Sequence, residues 1–337
     1  MHAAEYNGKK LQLINRTLRK PGSREILLNV SACGICGTDI KILEGKSAST
    51  PPVILGHEYC GIVEEIGTHV NNISVGDFVS VDPNIYCGEC RFCRAGKINL
   101  CENLTALGVN IDGGFAEYCL VPAKQCYQIP ATINPIHAAL MEPLSCAIYG
   151  IQKANIQLGD SVAIIGGGMI GLLMLKLCWL SGAKQIILVE TDKNRRAILQ
   201  NSGADIVIDP NNEGLIRNFT EISNGGADVA IECVGSSAAV EQSYHLLKRG
   251  GRLVIFGVSP SNQHWLLSPY ELFRNDITIT GSFLNPFTFQ TAVDLITAQK
   301  IRLADIDVKT FSLDRIQEAF ENQIQRKSMK TVIDLNL

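Results

Sequence analysis

The run SVAIIGGGMIGLLMLKLCWLSGAKQIILVE, residues 161–190, decides the fold. It opens with a short apolar strand (Ser161–Ile165), passes a glycine cluster, and continues as an apolar stretch of helical length. After Ser181-Gly182 comes a second strand-like run, Gln185–Val189. Strand, glycine turn, buried helix and strand make a βαβ unit. The competing reading is a membrane span, because Ile164–Ala183 is twenty residues with one charge, Lys176, and carries a Gly167-x-x-x-Gly171 spacing. The flanking strands favour the soluble unit.

The glycines follow the pattern Gly166-x-Gly168-x-x-Gly171. Such a turn lets the backbone approach a pyrophosphate, which rests on the helix N-terminus where unpaired N–H groups and the helix dipole favour an anion. Glu190 ends the next strand, 24 residues after Gly166. A carboxylate there accepts from both hydroxyls of an adenosine ribose and repels a 2′-phosphate, so NAD is expected over NADP. Arg195 and Arg196, shortly after, are the residues that could weaken that choice. Packing of helix on strand without a ligand is the alternative reading of the glycines.

Beyond this unit the alternation continues. Runs at 161–165, 185–189, 205–208, 228–232 and 252–256 read as buried parallel strands, with helices at about 168–181, 193–202, 212–222 and 237–248. This is a doubly wound α/β domain. The preceding residues look β-rich, with runs at Glu25–Val30, Tyr59–Ile66, Phe78–Val81 and Glu117–Val121, broken by turns such as Gly76-Asp77 and Gly113-Gly114. After Gly281 come helix-like stretches near 287–299 and 314–325 and a last strand, Lys330–Leu335, expected to return to the first domain.

The whole chain has 337 residues, a length that fits two domains. It is 46% hydrophobic and 19% charged with a net charge of −3, which excludes a disordered chain and leaves no polybasic footprint for nucleic acid or anionic lipid. The N-terminal residues show no apolar signal core, so a cytoplasmic protein with reduced thiols is expected.

Two groups of residues carry metal chemistry. Cys87-x2-Cys90-x2-Cys93-x7-Cys101 puts four thiols in fifteen residues, with Gly88 and Gly96 to allow sharp turns. Four thiolates close a tetrahedral zinc site with no open position, so its role is structural. An iron–sulfur cluster or two disulfides are the competing readings. A nucleic-acid knuckle is disfavoured by the acid-leaning charge balance and the absence of a basic cluster around the lobe. The second group is scattered: Cys36 in GICGTD (residues 34–39), His57 and Glu58 in Gly56-His57-Glu58, and Glu142 in Glu142-Pro143-Leu144. One thiolate, one imidazole and one or two carboxylates suit zinc with an open position. Singly, each has an ordinary structural reading, and Cys33-x-x-Cys36 could also be a thiol pair.

These motifs, together with GGFAEY (residues 113–118), resemble the zinc-dependent medium-chain dehydrogenases, the superfamily of alcohol, sorbitol and threonine dehydrogenases. The resemblance spans essentially the whole chain, and glutamate at 142 places it in the polyol branch. It implies a GroES-like catalytic domain of residues 1–145 plus 282–337, with a structural zinc lobe at 87–101, and a Rossmann NAD-binding domain of residues 146–281. It implies two zinc ions per chain. Cys36, His57 and Glu142 or Glu58 would hold the catalytic one, one of the glutamates acting through a water. Thr38 would pass on the substrate proton, with Asp39 behind the ligands. Cofactor contacts would come from Gly166, Gly168, Ile170, Gly171, Glu190, Arg195, Val234 and Phe283. The implied reaction is hydride transfer from a polyol or other secondary alcohol to NAD, in a homotetramer or a dimer.

Three positions depart from the family. Lys41 stands where many relatives carry a relay histidine. Ile42 replaces a tyrosine of the sorbitol dehydrogenase pocket, and Leu284 an arginine of sorbitol and threonine dehydrogenases. The alternatives are a zinc-free quinone or enone reductase of the same superfamily and a non-catalytic NAD-binding protein. The cysteines at 33, 60, 119, 126, 146, 178 and 233 read mostly as buried small hydrophobes.

Overall fold

The structure, a computed structural model, describes residues 1–212 and 214–337. The chain forms two compact units: Met1–Ser145 with Asn285–Leu337, and Cys146–Leu284.

The second unit is built on a six-stranded parallel sheet. Its order is Ile206–Ile208, Gln185–Val189, Ser161–Ile165, Ala227–Glu232, Leu247–Ile255 and Thr278–Gly281. Chain order reverses between Ser161–Ile165 and Ala227–Glu232, the position where doubly wound sheets bind their ligands at the strand C-termini. The strands are apolar throughout because helices cover both faces; Ser161–Ile165 is buried at every position. The helix Met169–Leu180 packs on it closely at Gly171, where a Cβ would lie 2.0 Å from the Gly166 carbonyl oxygen. Only glycine fits there. No helix among the described residues is long and apolar enough to cross a membrane, and the apolar stretch at 164–183 is a strand end, a turn and a twelve-residue helix.

Two elements of this unit escaped the sequence reading. The helix Pro269–Asn275 and the edge strand Thr278–Gly281 lie in a stretch without clear alternation. The helix expected to run to 248 stops at His245, because Leu247 already pairs with Ala227 as a strand. The helix expected from 212 begins at Leu215; its expected start includes Glu213, which lies outside the described residues.

The first unit is a seven-stranded, mainly antiparallel sheet. The long strand Glu25–Gly34 lies at its centre, pairing with Glu58–Ile66, Tyr118–Pro122 and Lys330–Asp334. A separate three-stranded sheet holds His2–Tyr6, Leu11–Asn15 and Val53–Ile54. Tyr59, Phe115, Ile26 and Leu28, all fully buried, form the core between these layers. The register that matters for the site sets Gly34 opposite Glu58 on one side and opposite Val332 on the other. Three segments far apart in sequence therefore meet at the end of one strand.

Candidate active site

Cys36 leaves the end of the strand Glu25–Gly34 and serves as the residue before the helix Gly37–Leu43. Asp39, in the first turn of that helix and fully buried, accepts a hydrogen bond from the Cys36 backbone N–H through Oδ2 at 2.8 Å. Its other oxygen, Oδ1, faces His57 Nδ1 at 3.4 Å. One carboxylate thus fixes both the thiol-bearing backbone and the imidazole. His57 directly precedes the strand Glu58–Ile66, which places Glu58 beside Gly34.

The ligand atoms of Cys36, His57 and Glu58 all lie within 4.8 Å of one another. Buried Asp39 Oδ1 and His57 Nδ1 face each other at 3.4 Å, and buried Glu58 Oε2 has only the Lys330 ammonium against it, so the cluster is thinly hydrogen-bonded for its burial. Burial alone would push the His57 imidazole down, but Asp39 and the Cys36 thiol outweigh it and hold the ring well above its usual value. Thiolate, imidazole and carboxylate in one group, with His57 and Glu58 buried and Cys36 half-buried, fit zinc with an open coordination position. Glu142 falls outside this group of atoms. It lies in the first turn of the helix Met141–Ala154 and is buried.

The start of that helix is held by a polar network absent from the sequence reading. Ser145 Oγ donates to the Glu142 carbonyl at 2.6 Å and accepts from Asn285 Nδ2 at 2.8 Å. Asn285 in turn bonds Asn84 and Asp82, while the Gln125 side chain ties the Asp82 and Asn84 carbonyls together. Burial pushes the Asp82 carboxyl up to about 6.

Lys330 is a second residue the sequence did not flag. It opens the last strand, and its ammonium pairs with Glu58 Oε2 deep inside the protein. Gly34 makes room for the pair: a Cβ there would come within 2.3 Å of Glu58 Oε2 and 2.9 Å of Lys330 Cε.

Among the positions tied to substrate and proton handling, Thr38 is half-buried on the helix that follows Cys36. Ile42 is 1% exposed and belongs to the hydrophobic core. Leu284 has a left-handed backbone, φ +59°.

The four-cysteine lobe gathers Cys87, Cys90, Cys93 and Cys101 within the same 4.8 Å limit. Cys87 Sγ lies 3.5 Å from Cys101 Sγ and 3.9 Å from Cys93 Sγ. Backbone N–H groups of Glu89 and Cys90 point at the Cys87 sulfur, both at 3.4 Å, and those of Cys87 and Asn103 at Cys101, both at 3.3 Å. The backbone N–H of Cys93 helps hold the Cys90 thiol down at about 6, while loss of hydration pushes the Cys93 thiol up to about 12.

In the second unit, Gly168 caps the N-terminus of the helix Met169–Leu180, leaving its first N–H groups for an anion. Glu190 closes over the glycine loop. Its Oε2 accepts from the Gly167 N–H at 2.7 Å and its Oε1 from the Asp192 N–H at 2.8 Å. Arg196 is engaged by the Glu190 and Thr191 carbonyls and by Asp209 at 2.9 Å. Gly166 and Val234 meet at the mouth of the loop, since a Cβ on Gly166 would touch Val234 Cγ2. Ile170 and Arg195 are half-buried, and Phe283 is exposed. These residues fit a dinucleotide by the glycine cradle and the carboxylate beside it.

A mixed-donor metal cluster, an all-cysteine lobe and a dinucleotide-type Rossmann unit in one chain define a metal-dependent, hydride-transferring dehydrogenase. Residues 22–131 match the alcohol dehydrogenase GroES-like domain and residues 169–298 the zinc-binding dehydrogenase family. The chain is 37% identical to an L-threonine 3-dehydrogenase of Pyrococcus horikoshii, over 97% of this chain and 96% of that one. It is 33% identical to D-arabinitol dehydrogenase 1 of Uromyces fabae, over 93% and 90% of the two chains. A crystal structure from Sinorhizobium meliloti 1021, described as a zinc-binding dehydrogenase bound to NADP, superposes with a TM-score of 0.96 at 39% identity, covering 99% and 98%. The chain belongs to the zinc-dependent medium-chain dehydrogenases, in their threonine and polyol dehydrogenase branch. It is an oxidoreductase of the kind that converts an alcohol to a ketone with zinc and a nicotinamide dinucleotide.

Proposed function

We propose that the chain oxidises an uncharged secondary alcohol, a polyol or diol, with NAD, and that its catalytic zinc is held by Cys36, His57 and Glu58, with Glu142 close behind. The observation that carries this reading is the Cys36–His57–Glu58 cluster, in which Asp39 fixes both the Cys36 backbone and the His57 imidazole. When bound, zinc supplies Lewis acidity toward an alcohol oxygen and the nicotinamide supplies the hydride acceptor. Asp39 orients the His57 ring and raises its basicity as a ligand. Thr38 Oγ1 receives the proton that the substrate hydroxyl gives up and starts its path outward. Glu142, held at the start of its helix through Ser145 and Asn285, adds a second carboxylate to the site.

Glu190 supports NAD over NADP, because a buried carboxylate beside the glycine loop disfavours a 2′-phosphate. Of the two arginines that could reward that phosphate, Arg196 is bound to backbone carbonyls and to Asp209, while Arg195 reaches toward the glycine loop at Gly168. Leucine at 284 supports a substrate without a carboxylate. Threonine is the second reading, favoured by the 37% identity to a threonine dehydrogenase.

A homo-oligomer, tetramer or dimer, is supported by the open edge strand Thr278–Gly281 and by the exposed apolar side chains Leu266 (94%), Phe273 (83%) and Tyr270 (70%) that precede it in sequence. Twelve cysteines without a disulfide fit a reducing cytoplasm. The functional test is NADH formation across sorbitol, xylitol, arabinitol, galactitol, butane-2,3-diol and threonine, repeated with NADP and with a chelator. Chelator-sensitive oxidation of a polyol or diol, faster with NAD, is expected. Turnover of threonine alone would overturn the substrate assignment, and faster turnover with NADP the role given to Glu190.

A further inference from the structure

Lys330 is an unusual resident of a metal site. Its side chain is 3% exposed and that of its partner, Glu58, 2%. The charge of Lys330 also acts on Cys36 and Glu142, so one ammonium stands among three potentially anionic groups. Lysine is rarely buried unless paired, and a carboxylate buried without a counter-charge is costly. The fold makes this pair deliberately: Gly34 is kept free of a side chain where the two meet, and the register of three strands brings 330 to 58. The Lys330 ammonium is the one donor set against Glu58 Oε2 among the described residues.

We propose that Lys330 is a positioning residue that stands in for part of the metal's charge: it holds Glu58 in the Cys36–His57–Glu58 cluster while zinc is absent, and it shares that carboxylate with zinc once zinc is bound. The inference rests on the assignment of zinc to this cluster. Its consequence is a definite sign. A cation already inside the site opposes the arrival of another, so Lys330 lowers zinc affinity while making the metal-free site stable. Without it, Glu58 loses its direct counter-charge and leans more heavily on zinc.

The experiment uses the full chain at one fixed pH, with wild type, K330M, K330R and the double variant E58Q/K330M. Zinc content is counted by mass spectrometry, melting temperatures are measured zinc-loaded and chelated, and affinity at the buried site is measured by chelator competition. The lobe at 87–101 is common to all four proteins and cancels in the comparison. For K330M the gap between loaded and chelated melting temperatures should widen by on the order of 5–10 °C. Its zinc affinity should rise about tenfold or more, as the field of a nearby unit charge is removed. K330R should keep the wild-type gap, and E58Q/K330M, having lost both charges, should return toward it. If K330M lowers both melting temperatures equally, or binds zinc more weakly, Lys330 is a structural residue and the proposal fails. Should K330M not fold without zinc while E58Q/K330M does, the proposal stands, since only the unpaired carboxylate separates them. A wild type that binds one zinc per chain would instead remove the metal assignment itself.

Discussion

The two cysteine-bearing sites of the first unit are built in opposite ways. The lobe at 87–101 is local in sequence and poor in core. Cys87 is exposed, the four-residue helix Arg91–Arg94 buries nothing, and the flanking strands Asn84–Ile85 and Thr105–Ala106 have two residues each. The Cys36–His57–Glu58 site gathers residues from distant segments onto the end of a buried sheet, and its members are held by Asp39, Gly34 and Lys330. On the zinc assignment proposed above, the metal would make the structure of the lobe, whereas the buried site is made first and offers itself to the metal. Four thiolates would leave zinc saturated, whereas a thiolate, an imidazole and a carboxylate would leave it a position for substrate.

The largest break in this contrast comes from Cys90→Ser. With its closed ligand set gone, the lobe should lose its zinc and unfold, because binding energy there is folding energy. Zinc content should fall by one equivalent, limited proteolysis should cut within 87–101, and the melting temperature should drop by about 10 °C or more. A variant that keeps the lobe protected from protease would contradict the metal-made reading.

A smaller effect sharpens the other half. Asp82 belongs to the network that anchors the start of the Glu142 helix, and burial raises its carboxyl from 3.8 to about 6. Between those values the native state holds a proton that the unfolded chain has released, so wild-type stability falls as pH rises through that window. Asp82→Asn removes this fall and keeps an acceptor for Asn84 and Asn285. Its stability relative to wild type should climb between about pH 4 and 6 and level off at about 2–3 kcal/mol above it. The same curve is expected after chelation, since the frame is made without metal. Denaturant unfolding across pH checks this, and a flat difference would place Asp82 outside the account.

What the sequence made legible follows the same division. Contiguous patterns were readable: the glycine turn at 166–171, the cysteine spacing at 87–101 and the long buried strands all announce their chemistry within one window. The six-stranded parallel sheet was read from its periodicity, except its edge. Thr278–Gly281 has four residues and exposed ends, so no alternation marks it, although Ser268-Pro269 ahead of Glu271 is a helix start whose capping bond the structure shows. Lys330 was illegible because its partner is 272 residues away in the chain, and nothing local distinguishes a buried lysine from a solvated one. The same holds for Asn285, whose role exists only once Ser145 and Asp82 are beside it.

The most direct test is hydrogen exchange, read by mass spectrometry, on the full chain before and after a chelator has removed all zinc. Amides of 87–101 should lose their protection, while the strands Glu25–Gly34 and Glu58–Ile66 that carry the buried site should keep theirs. Equal loss of protection in those strands, or a lobe that stays protected without metal, would contradict the division between a site made by its metal and a site made for it.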